Sequence, residues 1–286
     1  MSVLNTLLCP LDKQPLAQEK RSLVCPVGHS FDLAKSGYVN LLPVQNKRSK
    51  DPGDSKEMVS SRIAFLALGH YQPIADSIAS YVLNLFSSKQ SISVLDAGCG
   101  DGYYLKRLDD ACTANDHVVD FIGLDISKWA IMAASKGSSS IRWVVGSNAA
   151  IPSLSKSFDV VTCLFGFPMF SEFSRVLKSQ GILLMVDAAA DHLIELRKIL
   201  YPEIRLYEDG LAVGVDGFSL LDEQNLQFAF TLKSQQEIQS LLSMTPHIHK
   251  APFEGKEALK RVESLELTAD VKLRWYVKNT VITEND

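Results

Sequence analysis

Two stretches of the sequence bring together residue types that do chemistry. The first is CPLDKQPLAQEKRSLVCPVGH, from Cys9 to His29. Two residues separate Cys9 from Asp12 and three separate Cys25 from His29, a spacing that lets two tight turns aim four side chains at one ion. Cys, Asp, Cys and His together supply the four ligands of a tetrahedral zinc site. A knuckle of this type normally carries cysteine where Asp12 stands. A borderline-soft ion prefers sulfur, so this set should hold zinc less tightly than three thiolates and a histidine. The competing reading is a zinc-free hairpin packed on Leu11, Leu16, Leu23, Val24, Val27 and Phe31. Against it, a segment this small rarely stays ordered without a staple.

The second stretch is VLDAGCGDGYY, residues 94–104. Asp96, Gly98, Gly100 and Gly102 sit at alternate positions directly after an apolar run, with Tyr103 behind them. Glycine permits a tight turn and lets a ligand approach the backbone. The spacing is G-x-G-x-G, not the G-x-G-x-x-G of dinucleotide folds, and no Gly-Lys-Ser/Thr follows, which excludes a P-loop. The loop resembles motif I of class I S-adenosylmethionine-dependent methyltransferases, where it lies against the methionine and ribose parts of the cofactor. The next apolar run ends in GLDIS, placing Asp125 where a carboxylate accepts ribose hydroxyls in doubly wound folds, with Ile126 beside it. The resemblance places Ser147 and Asn148, in VGSNAAIP, beside the adenine.

These residues need a scaffold that presents them together. SISVLDA, DFIGLDI, IRWVVG, FDVVTCLF and GILLMVD are short apolar runs. Helical spacing separates most of them, around residues 103–111, 128–135 and 171–178. Such alternation predicts an α/β fold with a doubly wound, mostly parallel, Rossmann-like sheet. A further helix is expected over 191–200 with Asp191 as its cap, and then an irregular insertion near 201–225. QFAFTL and VKLRWYV read as late strands flanking a helix at 235–242. An earlier helix is expected from Ser60, interrupted by Gly69 and Pro73. The chain thus divides into a zinc-knuckle-like module (1–36), a connector with a helical segment (37–88) and a methyltransferase-like domain (89–286).

Composition narrows the setting. The 286 residues carry a net charge of −4. Residues 1–50 hold seven Lys/Arg against three acids, a balance of +4, which leaves −8 for the rest. A basic front on an acidic body suits a polyanion, although a solvated face reads the same way. No apolar run reaches membrane-spanning length, and MSVLNTLL lacks the features of a signal peptide. Five cysteines do not make a disulfide framework. A reducing cytoplasm is the expected compartment. Cys99, Cys112 and Cys163 show no paired-histidine context and read as packing residues.

The connector is more specific than the glycine loop. FDLAKSGYVNLLPVQNKRSKDPGDSKEMVSSRIAFLALGHYQPI resembles the matching block of the bacterial 23S rRNA (guanine-N1)-methyltransferases, the RlmA family. The similarity continues through VLDAGCGDGYY, HLIELRKILYPEIRLY and LLSMTP, and so covers essentially the whole chain. It implies a zinc module, a donor-binding methyltransferase domain, an rRNA hairpin as substrate and a homodimer. Removing the proton of guanine N1 requires a base. Two candidates stand near the expected pocket: Asp187, ending the fifth run, and His192, which at a helix start also suits a structural hydrogen bond. Phe165, Phe167 and Phe170 can stack on a base turned out of its helix, or pack the core. The chain departs from the family pattern at Asp12, at AAAD (188–191), at FGFP (165–168) and in MTPHIHKA. These departures leave two further readings open: a methyltransferase for another RNA or a small molecule, and a catalytically quiet RNA-binding protein. The loop assignment itself is testable: Gly98→Arg should abolish binding of S-adenosylmethionine measured by calorimetry, and wild-type affinity in that variant would refute it.

Overall fold

The computed structural model describes residues 6–46, 49, 51–86, 91–204 and 215–279. The N-terminal segment forms a three-stranded antiparallel sheet of β1 (Ala17–Glu19), β2 (Ser22–Val24) and β3 (Ser30–Asp32). Its turns take left-handed residues, Lys20 at φ 52° and Gly28 at φ 97°. The chain then gives two residues, β4 (Val39–Asn40), to the edge of the main sheet. Ser55 starts the next element, accepting a hydrogen bond from the Met58 N–H at 3.3 Å and so capping α1 (Lys56–Leu66). A turn at Gly69, φ 81°, ends that stretch, and α2 (Gln72–Leu85) opens with Pro73 in its first turn. The helix expected from Ser60 is therefore two helices, broken over residues 67–71 around Gly69, with Pro73 inside the second.

The remaining elements alternate as the apolar runs predicted: β5 (Ile92–Ala97), α3 (Tyr103–Ala114), β6 (Val119–Asp125), α4 (Lys128–Gly137), β7 (Arg142–Val145), β8 (Phe158–Leu164), α5 (Phe170–Val176), β9 (Leu177–Ala188) and α6 (Ile194–Leu200). After them come β10 (Phe218–Leu232), α7 (Gln235–Met244), α8 (His247–Lys250), α9 (Phe253–Leu259) and β11 (Leu265–Lys278). The eight-stranded sheet runs β10-β11-β9-β8-β5-β6-β7-β4. Pairings from β4 to β9 are parallel, and β11 and β10 add antiparallel strands at one edge. The winding reverses between β5 and β8, which opens a crevice beyond the C-terminal ends of those strands.

Two sequence expectations need correction. Asp191 does not cap α6. The helix starts after Leu193, itself left-handed at φ 52°, and has no side-chain cap. The Asp191 N–H instead donates to the Asp270 carboxylate at 3.0 Å. The irregular stretch near 201–225 is partly strand, because β10 begins at Phe218; residues 205–214 lie outside the described residues. Ser219 to Asn225 are exposed along β10, so no apolar alternation marked them as a strand.

A parallel sheet has to be covered on both faces. On one face, α2, α3, α4, α6 and α7 pack over Val94, Phe121, Trp143, Leu184 and Trp275. The other face presents Leu95, Ile122, Val144, Val161, Leu183 and Tyr276. There α5 covers one part and the N-terminal segment the other, through Leu7, Cys9, Leu16, Leu23 and Cys25. The connection from β7 to β8, residues 146–157, contains no helix. The N-terminal segment lies where a crossover helix would, hydrogen-bonded to that connection from the Leu8 N–H to Pro152 O at 3.0 Å and from the Leu154 N–H to Thr6 O at 2.8 Å. Leu23→Ala should therefore cost about 2–5 kcal/mol and lower the melting temperature of the whole chain in one calorimetric transition. A separate early transition, with the main one unmoved, would show that the segment is not part of this core.

Candidate functional site

Beyond the C-terminal ends of β5, β8 and β9 lies a cavity of about 420 Å3. Asp96, Gly98, Cys99, Asp101 and Tyr104 line one end. Asp96 ends β5 fully buried, and Thr162 Oγ1 donates to its Oδ1 at 2.7 Å. Burial pushes this carboxyl up to about 7, opposed by the Thr162 bond and reinforced by the charge of Asp125. A cationic ligand here would hold Asp96 in its charged form. Gly98 is left-handed at φ 93°, and a Cβ there would meet nothing closer than Asn148 Nδ2 at 3.7 Å. The backbone is thus open toward the cavity.

The other loop residues work from behind. Asp125 accepts the Gly100 N–H at 2.9 Å and the Ser127 N–H at 2.7 Å, tying the glycine loop to the end of β6. Burial raises this carboxyl, and each oxygen keeps a lone pair for a further donor. Gly102 is a packing requirement, since a Cβ there would lie 2.4 Å from the Trp143 ring. Tyr103 stands edge-on to Tyr104 at 5.1 Å. Asn148 Nδ2 donates to Ala97 O at 3.2 Å, and the Ser147 hydroxyl accepts the Ala149 N–H at 3.2 Å. Ile126 is covered by the connector at Gly53, where a Cβ would come within 2.9 Å of it. Of the candidates for cofactor and catalysis, Asp96, Gly98, Asp187 and His192 share the cavity. Gly100, Gly102, Tyr103, Asp125, Ile126, Ser147 and Asn148 do not line it.

One wall of the cavity comes from the connector, and sequence reading missed it. Asp54, Met58, Arg62 and Leu66 recur every fourth residue and line the cavity together with Tyr71. That spacing is one face of a helix, and it was the available signal. Arg62 forms an ion pair with Asp54, and Ser127 Oγ donates to Asp54 O at 2.7 Å, which fastens the wall to the end of β6.

The far end holds both candidate bases. Asp187 is the penultimate residue of β9, with Arg274 Nη1 3.9 Å from its Oδ2. The buried His192 receives the Asp270 backbone N–H on Nδ1 at 3.2 Å. The neutral ring therefore carries its proton on Nε2, which faces the Tyr71 hydroxyl at 3.3 Å. Burial lowers this imidazole to about 4, so it is neutral at pH 7 and its Nδ1 lone pair is already engaged. Phe165 is left-handed at φ 53°, an uncommon state for a bulky residue. Its ring lies 6.4 Å from that of Tyr71 and 6.2 Å from those of Tyr104 and His192. Phe167 is almost wholly exposed at the cavity wall, while Phe170 packs on Phe173 and Phe218. Cys99, Cys112 and Cys163 are buried thiols; burial pushes Cys163 up to about 12 and Cys112 up to about 11, which fits packing residues.

The four residues of the N-terminal segment converge. One ligand atom from each of Cys9, Asp12, Cys25 and His29 lies within 4.8 Å of all the others. Tetrahedral zinc with ordinary bond lengths spaces sulfur and nitrogen by about 3.5 Å. His29 Nδ1 is 3.6 Å from Cys9 Sγ and 3.5 Å from Cys25 Sγ. Asp12 Oδ2 is 3.0 Å from both Cys25 Sγ and His29 Nδ1, closer than the roughly 3.4–3.6 Å of a zinc-bound oxygen. A shift of a few tenths of an ångström would seat it. Its other oxygen accepts the Gln14 N–H at 2.9 Å, which orients the carboxylate. Hydrogen bonding, first from the Cys25 thiol, holds Asp12 well below the usual carboxylate range, in the form a metal requires. The donor set fits zinc.

Comparison with known proteins agrees with this layout. A family model described as RlmA, N-terminal, a zinc ribbon, matches residues 7–50, and a methyltransferase domain model matches residues 94–181. A Bacillus subtilis (strain 168) protein, provisionally named as a 23S rRNA (guanine-N1)-methyltransferase, is 34% identical over 272 residues, 93% of this chain and 94% of its own. A Streptomyces fradiae protein named 23S rRNA (guanine(748)-N(1))-methyltransferase is 31% identical over 199 residues, 68% of each chain. The solved structure of the Bacillus subtilis YcgJ protein matches 71% of this chain and 98% of its own at 19% identity, with a TM-score of 0.46.

Asp12 is the weakest member of the ligand set on chemical grounds. Asp12→Cys should retain more zinc than wild type after dialysis against a chelator, measured by atomic absorption. Equally low zinc in both proteins would exclude the site.

Proposed function

The chain belongs to the bacterial 23S rRNA (guanine-N1)-methyltransferases with an N-terminal RlmA zinc ribbon, and from that premise we propose that it methylates N1 of a guanine in a 23S rRNA hairpin. The observation that carries this reading is the shared cavity. It joins a buried carboxylate and an open glycine backbone at one end to aromatic rings and a second carboxylate at the other. S-adenosyl-L-methionine, when bound, supplies a methyl group on a sulfonium and departs as a neutral thioether. Asp96 suits the positive charge at its methionine end, and Gly98 lets the backbone approach. By the family resemblance, Asp125 would offer its remaining lone pairs to the ribose hydroxyls, and Ile126, Ser147 and Asn148 would stand on the adenine side, beyond the cavity that Asp96 and Gly98 line. Asp54, Met58 and Arg62 close the wall and exclude water.

The acceptor guanine has to leave its stack to reach such a cavity. Phe165 and Phe167 offer faces on which it can stack. Methylation of N1 would release its proton, which needs a carboxylate or imidazole lone pair. Asp187 supplies one in this reading; His192, whose Nδ1 receives the Asp270 N–H, serves to orient Tyr71, which its bonds support. Holding the two reactants in line is the protein's main contribution, since the donor is already reactive.

The zinc-ribbon segment contributes exposed Lys13, Lys20, Arg21 and Lys35 toward RNA phosphates. A hairpin loop is the expected target, because its bases can splay out. A homodimer would set two such segments around one RNA. The setting inferred is the cytoplasm, consistent with five free cysteines; no helix among the described residues is long and apolar enough to cross a membrane. Incubation with methyl-labelled donor and unmodified 23S rRNA should place one methyl on N1 of a hairpin guanine, located by mass spectrometry. Absence of transfer in a sample that binds both donor and RNA would overturn this reading.

A further inference from the structure

Strand β11 contains VKLRWYV, in which Arg274 is buried, at 3% exposure. A buried guanidinium needs ionic partners. The strand register supplies them from both sides. Glu223 of β10 lies directly opposite Arg274 and accepts from its Nε at 2.7 Å. On the other side, Asp187 of β9 pairs in register with Lys272, two residues before Arg274 and on the same face. Arg274 Nη1 comes to 3.9 Å from Asp187 Oδ2. One edge of the guanidinium is thus held by Glu223 while the other faces the carboxylate at the acceptor end of the cavity.

We propose that Arg274 is a positioning residue for proton removal: anchored by Glu223, it keeps the Asp187 carboxylate ionised and turned toward the acceptor. The proposal rests on the reading of Asp187 as the proton acceptor. Other charged or titratable groups share this region. Lys272 of β11 pairs in register with Asp187, and Cys163 of β8 lies within its electrostatic reach. Asp54, Arg62, Asp96, Asp101, His192 and His247 line the same cavity, and Asp270 of β11 bonds His192 and Asp191. Lys272 is the cation paired with Asp187 in register, and so the one to compare with Arg274.

The sign of each effect is fixed by the charge removed. Deleting the cation in Arg274→Gln disfavours the carboxylate, so the acid limb of the methyl-transfer pH profile should move up by about one unit or more. Arg274→Lys should restore most of that shift. Deleting the anion in Glu223→Gln removes a negative charge that offsets the guanidinium, so the limb should move down. Lys272→Gln should move it less than Arg274→Gln does. Donor affinity should stay at the wild-type level in all four variants. A salt bridge that serves only the fold changes stability and leaves the acid limb in place.

An unmoved limb in folded Arg274→Gln, or an equal shift in Lys272→Gln, overturns the proposal. If Arg274→Gln does not fold, Glu223→Gln decides alone: a limb unmoved or moved up overturns it. Asp187→Asn separates the two levels. Loss of transfer with donor and RNA binding intact supports the base reading, so an unmoved limb in Arg274→Gln then defeats only the positioning role. Wild-type transfer in Asp187→Asn removes the base reading and this proposal together.

Discussion

A sheet wound from parallel strands has no face that tolerates water. In this chain the connection between β7 and β8 brings no helix to cover its side of the sheet. The debt is met from the far end of the sequence. Leu7, Leu16 and Leu23 lie on the same apolar layer as Leu95, Ile122 and Val144. Even two of the candidate metal ligands, Cys9 and Cys25, are buried in that layer. The N-terminal segment thus belongs to the core of the domain it precedes. Its fold and that of the main sheet are one problem.

The same economy shapes the cavity. The connector leaves the segment, adds β4 to the sheet edge and then lays one face of α1 over the glycine loop. The chain that joins the two parts therefore also walls the site. Charge around the cavity is arranged in compensated sets: Arg62 with Asp54, Arg274 with Glu223 and Asp187, and Thr162 donating to Asp96. Arg274 and Asp96 are the buried members, and burial makes them the most sensitive to the loss of a partner.

Much of this was legible in the sequence. β5 to β9 announced themselves because strands buried on both faces read as unbroken apolar runs. The glycine loop, the acid after β6 and the Cys/Asp/Cys/His spacing needed no tertiary information. Other features required it. The exposed first half of β10 lacks any alternation to read. Arg274 in VKLRWYV looks like a solvent-facing residue until Glu223 and Asp187 are placed beside it. Leu23 is plainly apolar, but nothing local says that its partner is a strand more than seventy residues away. Asp191 followed good capping chemistry, but α6 begins only at Ile194, after a left-handed Leu193 that takes the cap position.

The insertion of the zinc-ribbon segment into the sheet's core also limits how this architecture can diversify. An adaptor joined by a free tether can be exchanged for another without disturbing the enzyme behind it. Here an exchange would strip an apolar face bare. A change in the segment's surface chemistry has to be made on the outward side alone, at positions such as Lys13, Lys20, Arg21 and Val27, which the core does not hold. The inward side is inherited with the enzyme, so the two halves of the chain are bound to evolve as a single unit.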